Sequence, residues 1–278
     1  MLVNLKDILR LAEARGCAIG SFNTPNLEAV CAVIETAEKL NQPVILSHAQ
    51  LHEEMGIARL DVIGRVMLMM AQQASVPVCV HLDHGTSLAY LQQALELGFS
   101  SIMYDGSTLP YAENTANTCV AVAMAAQYGA SVEAEIGSMG AREGGGEGGQ
   151  SVYTDPVQAK EFVEITGIDA LACAFGTAHG IYLKAPKLDF DRVRRIRELI
   201  HVPIVMHGGS GVSTEDYKKV IDCGVRKINY FTYMAKAGGA AAAAVEDKTF
   251  FYDIIRAGQT GMQRDVEKAM RTFARLDG

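Results

Sequence analysis

Eight short runs that are apolar on both faces limit most strongly what this chain can fold into. They are AIGSFN (18–23), PVILSHA (43–49), PVCVHLD (77–83), SIMYDGS (101–107), SVEAEIG (131–137), ALACAFG (170–176), PIVMHGG (203–209) and VRKINYF (225–231). Each is bounded by Pro, Gly, Ser or Asn, as strands are. Helical patterns fill the gaps. In SLAYLQQALELG, for example, Leu88, Leu91 and Leu95 and their neighbours recur at helical spacing. Gly98, Gly129, Gly167 and Gly224 stand where helices should stop. Strands apolar on both faces belong in a parallel sheet covered by helices. Eight strand–helix units are the count for a closed (β/α)8 TIM barrel, an α/β fold. An open doubly wound sheet is the alternative, but no Gly-rich dinucleotide fingerprint follows the first run. No stretch reads as a linker, so residues 1–278 are expected to form a single domain. A final helix over roughly 250–275 should pack on the barrel.

With 49% hydrophobic residues in 278, the chain can bury a large core. Its formal net charge of -7 gives no electrostatic case for nucleic acid or an anionic membrane. Six cysteines, at 17, 31, 79, 119, 173 and 223, form no CxxC pair and are expected to be buried free thiols in a reducing compartment. The first sixteen residues carry acids and read as an amphipathic helix rather than a signal peptide. No apolar run nears the ~20 residues of a membrane helix. These features predict a soluble, cytoplasmic protein.

The polar residues cluster at one end of the strands. Asn23 ends the first run, Asp83 and His84 the third, and Asp105 and Ser107 the fourth. Glu133 and Glu135 lie in the fifth; His179 follows the sixth; His207 and Ser210 end the seventh, and Asn229 and Thr232 the eighth. In a (β/α)8 barrel these positions converge on the rim that carries active sites. His84, His179 and His207 are each followed by Gly, come from three different strands and stand near carboxylates. Three imidazoles with an open fourth position suit a divalent metal, zinc foremost. His48, His52 and His201 fall at loop or helix-flank positions and read as structural. Alternation places His81 and Asp83 on one face of their strand, with His81 a layer deeper and His84 at the turn. Glu133 and Glu135 share a face in the same way.

HGGSG (207–211) and INYFT (228–232) each open a helix. Glycines and helix N-termini at these two places read as a phosphate site. The long Gly-rich segment 138–155 reads as a lid, and Glu143 or Glu147 on it could carry a proton.

With these residues laid out, the chain resembles the class II, metal-dependent ketose-bisphosphate aldolases, the family of the fructose- and tagatose-bisphosphate enzymes. The resemblance spans nearly the whole chain and rests on HLDHG, MYDGS, VEAEIG, YTDP, GTAHGIY, HGGSG and KIN in one order. It implies that His84, His179 and His207 bind a catalytic Zn2+, and that Asp105 and Glu135 serve an alternative metal position. By the same resemblance Asp83 is the acid/base at the C4 hydroxyl and Glu143 the lid glutamate that moves the proton beside the ketone. Gly180, Gly208, Ser210, Asn229 and Thr232 match residues that hold the dihydroxyacetone-phosphate half, and Asn23 joins them at the rim. Zinc would stabilise the enediolate left when the C3–C4 bond breaks, so no Schiff-base lysine is needed. The family further implies a homodimer or homotetramer, a small phosphorylated sugar as substrate, and a monovalent cation as a second candidate ion.

Three places depart from the family pattern. Phe231 stands where some members carry Asp, and Tyr252, beside Asp253, stands where the bisphosphate enzymes have an Arg for the distal phosphate. SHAQLHEE follows the second run in place of a Gly/Ser/Thr-rich turn. These changes are expected to fall on the pocket for the aldehyde half, so an aldolase whose substrate lacks the distal phosphate is the alternative. A zinc hydrolase on the same barrel would carry HxH at the end of the first run, where SFNT stands. A non-catalytic sugar-phosphate-binding protein is the remaining rival.

Overall fold

The computed structural model describes residues 1–138, 152–182 and 185–276. After a two-residue strand β1 (Leu2–Val3), the eight apolar runs become eight parallel strands. They are β2 (Ile19–Asn23), β3 (Val44–Ala49), β4 (Val78–Gly85), β5 (Ser101–Tyr104), β6 (Ser131–Ile136), β7 (Ala170–Cys173), β8 (Ile204–Met206) and β9 (Val225–Tyr230). Each pairs with the next, and β9 pairs back onto β2, with Ile19 opposite Lys227 and Ser21 opposite Asn229. The sheet therefore closes into a (β/α)8 barrel and leaves no open edge. Strand β1 was not expected; it is too short for a periodic signal. It pairs with Val78 and Cys79 at the start of β4.

The helices are α1 (Leu5–Arg15), α2 (Leu27–Leu40), α3 (Gln50–Glu54), α4 (Leu60–Gln73), α5 (Leu88–Leu97), α6 (Tyr111–Ala126), α7 (Pro156–Thr166), α8 (Phe190–Leu199), α9 (Thr214–Asp222), α10 (Thr232–Ala243) and α11 (Phe251–Phe273). Their ends follow local chemistry. Asn4 accepts the Asp7 N–H at the start of α1, and Asp155 accepts those of Val157 and Gln158 ahead of Pro156 in α7. The predicted C-terminal helix is α11. It lies along α10 so closely that a Cβ on Gly261 would meet the Ala237 carbonyl at 2.5 Å. Among the described residues, no helix is long and apolar enough to cross a membrane. All six cysteines are unpaired; Cys17, Cys79, Cys173 and Cys223 are buried and the other two partly so.

Strand alternation divides the interior into layers. The inward positions nearest the strand starts are apolar: Ile19, Ile45, Cys79, Ala170 and Val205 all lie in one buried cluster. Helix α1 adds Leu5, Ile8, Leu9 and Ala12 to that cluster and stops the N-terminal end of the barrel. The Lys6 N–H donates to Ser131 Oγ at 3.1 Å and ties the plug to β6. Two residues further along, the inward groups of β2, β3, β4 and β6 and Lys227 of β9 are polar, while Met103 and Ala172 remain apolar. Ser21 Oγ meets Ser47 Oγ at 2.6 Å, and His81, Glu133 and Lys227 are fully buried. At the mouth stand Asn23, Asp83, Glu135, His207 and Asn229. A dry base thus supports a largely polar middle and a polar mouth. We predict that Leu9→Ala, which opens a hole in the plug, costs about 2–5 kcal/mol in urea unfolding. The C-terminal rim, at the opposite end, should keep its metal affinity in the variant that remains folded.

Candidate active site and metal centre

The mouth of the barrel holds a cavity of about 320 Å³. Asn23, Gly180, Gly208, Ser210, Asn229 and Thr232, all expected to bind substrate, line it. So do Asp83, His84, Asp105, Glu135 and His179. His207 is fully buried just behind the wall, in contact with His84. Glu143 and Glu147 lie outside the described residues.

The three histidines converge because the strand geometry breaks at one of them. His84 adopts φ 48, a left-handed conformation that a non-Gly residue rarely takes. The β4–β5 register shifts between Leu82 and Gly85 at the same place. Simple alternation would send His84 to the face opposite Asp83; the bulge turns both toward the mouth. His84 Nε2 then lies 2.8 Å from His207 Nδ1 and 3.2 Å from His179 Nε2. The loops carrying His179 and His207 interlock. Gly208 has φ 61, and a Cβ there would sit 2.4 Å from the Ala178 carbonyl oxygen. The Tyr182 hydroxyl clamps both loops, accepting the Ala178 N–H and donating to the Gly208 carbonyl, each at 2.8 Å.

Second partners decide which nitrogen faces inward. His84 Nδ1 is 2.7 Å from Asp105 Oδ2, and His207 Nε2 is 2.7 Å from Glu133 Oε1. With those ring nitrogens donating to the carboxylates, loss of the second His84 proton to a bound metal would leave His84 Nε2 and His207 Nδ1 as its ligand atoms, facing His179 Nε2. Two ligands on a tetrahedral zinc with bonds of ~2.0–2.1 Å stand roughly 3.3 Å apart, close to the separations found here. The electrostatics ask for a cation. Burial opposes a charge on His84, but Asp83, Asp105 and Glu135 overcome it and raise the ring to about 10. Burial and the charge on His84 lower His179 to about 3 and push His207 down too. Glu135 Oε2 is buried with no hydrogen-bond partner among the described residues. Its burial and the nearby Asp105 raise that carboxyl well above the usual range. His84, Asp105 and Glu135 make a second set of donors close enough to hold an ion. The donor chemistry therefore fits a divalent metal.

Asp83 is the most constrained carboxylate. Burial disfavours its charge, yet His84, His207 and Lys227 outweigh that and keep it ionised. Asn229 Nδ2 donates to Oδ1 and Asn23 Nδ2 to Oδ2, both at 2.9 Å. Both asparagines thus hold Asp83 while lining the cavity. Sequence reasoning missed what holds them. Lys227 Nζ lies 2.7 Å from Asn229 Oδ1 and 2.9 Å from Glu133 Oε2, with all three residues buried. That contact fixes the amide of Asn229 with its Nδ2 toward Asp83. The available signal was a lysine placed inward within an apolar strand, which demands a buried carboxylate such as Glu133. Lys227 thus has a structural ion pair. His81, expected to be supporting, bonds Ser101 Oγ through Nδ1 at 2.8 Å, and burial lowers it to about 3.

Tyr252 falls elsewhere than expected, while His48, read as structural, takes a supporting place outside the cavity. Tyr252 is exposed at the start of α11, stacked on Phe250, and does not line the cavity. His48 faces outward from β3 and meets Tyr90 at 2.9 Å, because alternation gives the inward position to Ser47. Phe231 and the α3 segment do line the cavity, and His52, buried, packs its ring 4.8 Å from that of Phe231.

A parallel barrel whose C-terminal rim gathers three imidazoles beside a buried carboxylate has the make-up of a barrel enzyme with a candidate metal site. The chain belongs to the class II fructose-bisphosphate aldolase family, whose sequence profile matches residues 3–277. It is thus an aldolase, a carbon–carbon lyase of a generally metal-dependent family that acts on small phosphorylated sugars. It is similar to the YdjI aldolase from Escherichia coli K12, with 35% identity over 98% of this chain and 97% of that one and a TM-score of 0.89. A Coccidioides immitis protein solved as a candidate fructose-1,6-bisphosphate aldolase is 29% identical, with 98% of each chain covered and a TM-score of 0.87. Fructose-bisphosphate aldolase from Campylobacter jejuni, at 23% identity, covers 98% of this chain and 95% of its own at a TM-score of 0.78 and shows the fold alone.

Glu133→Gln should weaken divalent-ion binding about 10–100-fold, because it loosens the His207 ring. Competition with a chromophoric chelator measures the change, and circular dichroism checks that the barrel persists.

Proposed function

We propose that the chain is a single-domain, zinc-dependent aldolase. It reversibly cleaves a ketose 1-phosphate or 1,6-bisphosphate into dihydroxyacetone phosphate and an aldehyde. The observation that carries this reading is the pairing of a three-imidazole centre with an adjacent, ionised, doubly hydrogen-bonded Asp83. When bound by His84, His179 and His207, zinc supplies a Lewis acid that polarises the ketone and stabilises charge on the enediolate. Asp83 takes the C4 hydroxyl proton on cleavage and returns it on condensation. Asn23 and Asn229 keep its carboxylate aimed and ionised. The phosphate of the three-carbon half sits against the backbone amides around Gly180 and Gly208–Ser210 and at the N-terminus of α10, beginning at Thr232, where the helix dipole favours an anion. Glu143 moves the proton on the carbon beside the ketone. Asp105 and Glu135 offer the second ion position, and a monovalent cation is a further candidate for the site. The protein works in the cytoplasm as a homodimer or homotetramer.

Release of dihydroxyacetone phosphate from ketose phosphates, with and without a chelator, tests the reading. Activity should vanish on chelation and return with zinc; release that persists in chelator would sink it. Asp83→Ala should keep stoichiometric metal and lose about 10²-fold or more in turnover. His179→Ala should lose the metal and the activity together.

A further inference from the structure

The two ends of the cavity differ in kind. One end offers backbone amides and the α10 N-terminus, as an anion site does. The other is built by α3 with Thr86 and Thr108, and Phe231, whose N–H donates to Ser210 Oγ at 3.0 Å, stands between the two. Every charged residue lining the cavity, histidines aside, is a carboxylate: Glu54, Asp83, Asp105 and Glu135. Among the described residues, no Lys or Arg lines it. Three of those carboxylates belong to the catalytic centre; Glu54 stands apart on α3.

We infer that the aldehyde half of the substrate is an uncharged hydroxyaldehyde, bound by Glu54 and Gln50 of α3 against the Phe231–His52 wall. The inference rests on the aldolase reading above and specifies the substrate of that site. Gln50 Nε2 donates to Glu54 Oε1 at 2.8 Å, which sets the carboxylate at the cavity wall. Gln50 Oε1 accepts the Thr86 N–H at 3.0 Å, so the backbone amide at that edge is already used. Among the described residues, a phosphate here would face a carboxylate with no cation beside it, and the Thr86 amide is already used. Sugar hydroxyls would find the acceptors they need. Phe231 and His52, with ring centroids 4.8 Å apart, supply an aromatic wall for the carbon chain.

The short helix is held firmly enough to discriminate. Tyr90 Oη lies 2.9 Å from His48 Nε2 and donates to Glu53 Oε2 at 2.6 Å. Glu53 Oε2 also accepts the Leu60 N–H at 2.8 Å, which ties α3 to α4. His48, Tyr90 and Glu53 thus set the position of Gln50 and Glu54 without touching the cavity.

The test uses the zinc-loaded enzyme in the condensation direction. Dihydroxyacetone phosphate is offered with glyceraldehyde, a four-carbon aldose, or glyceraldehyde 3-phosphate. Exchange of the hydroxymethyl proton of dihydroxyacetone phosphate with deuterated solvent, followed by NMR without any aldehyde, reports the first half-reaction alone. The expected result is exchange, with kcat/KM for a neutral aldehyde at least about 10-fold above that for the phosphorylated one. In Glu54→Lys that preference should fall by about 10-fold or more, with exchange on the same sample as the internal reference. If this variant does not fold, Glu54→Gln should narrow the preference in the same direction. Exchange accompanied by a preference for glyceraldehyde 3-phosphate overturns this inference and leaves the aldolase reading standing. A preference untouched by both substitutions also overturns it. Absence of exchange overturns the aldolase reading and this inference with it.

Discussion

The carboxylate of Glu133, fully buried in the middle of the barrel, is the group from which the order of the site follows. Burial raises the cost of its charge, but Lys227, His207 and His81 outweigh that and hold it at about 2. Removing one partner from such a pair leaves an uncompensated buried charge, a loss of about 3–5 kcal/mol. The pair does more than neutralise itself. Through Oε1, Glu133 sets the tautomer and tilt of His207; through Lys227 it sets the amide of Asn229, which holds Asp83. A metal ligand and a proton carrier therefore share one anchor. The α1 plug beneath keeps water from screening it.

The upper rim works by a different logic, that of close backbone approach. His84 reaches the centre through a left-handed residue and a bulge, and His207 through a glycine pressed against the loop of His179. These local distortions bring nitrogens that follow two other strands to within 2.8–3.2 Å of His84 Nε2. Strain of this sort persists only where the surroundings over-determine it. Here Asp105, Glu133 and the Tyr182 hydroxyl do so. The resulting charge pattern is asymmetric, with amides and a helix terminus at one end of the cavity and Glu54 at the other.

Much of this was legible in the chain. Eight doubly apolar runs and the Gly-ended helices between them specify a closed parallel barrel, since strands covered on both faces admit few other arrangements. Period-two alternation separated His81 from Asp83 and paired Glu133 with Glu135. The ordered motifs then named the family. Less visible were β1, too short for any periodicity, and the outward aim of His48, which depends on which neighbour takes the inward position.

The sequence by itself determined the barrel, the rim on which chemistry gathers and the residue types that gather there, because local periodicity and strand-end position are written in every segment. Tertiary structure alone decided the partners. Lys227 meets Glu133 across the barrel, Tyr182 bridges two loops, and Tyr252 stands clear of the cavity while Glu54 lines it. Such contacts depend on barrel closure and strand register, which place side chains far apart in the chain at hydrogen-bonding distance, and no local pattern encodes that distance.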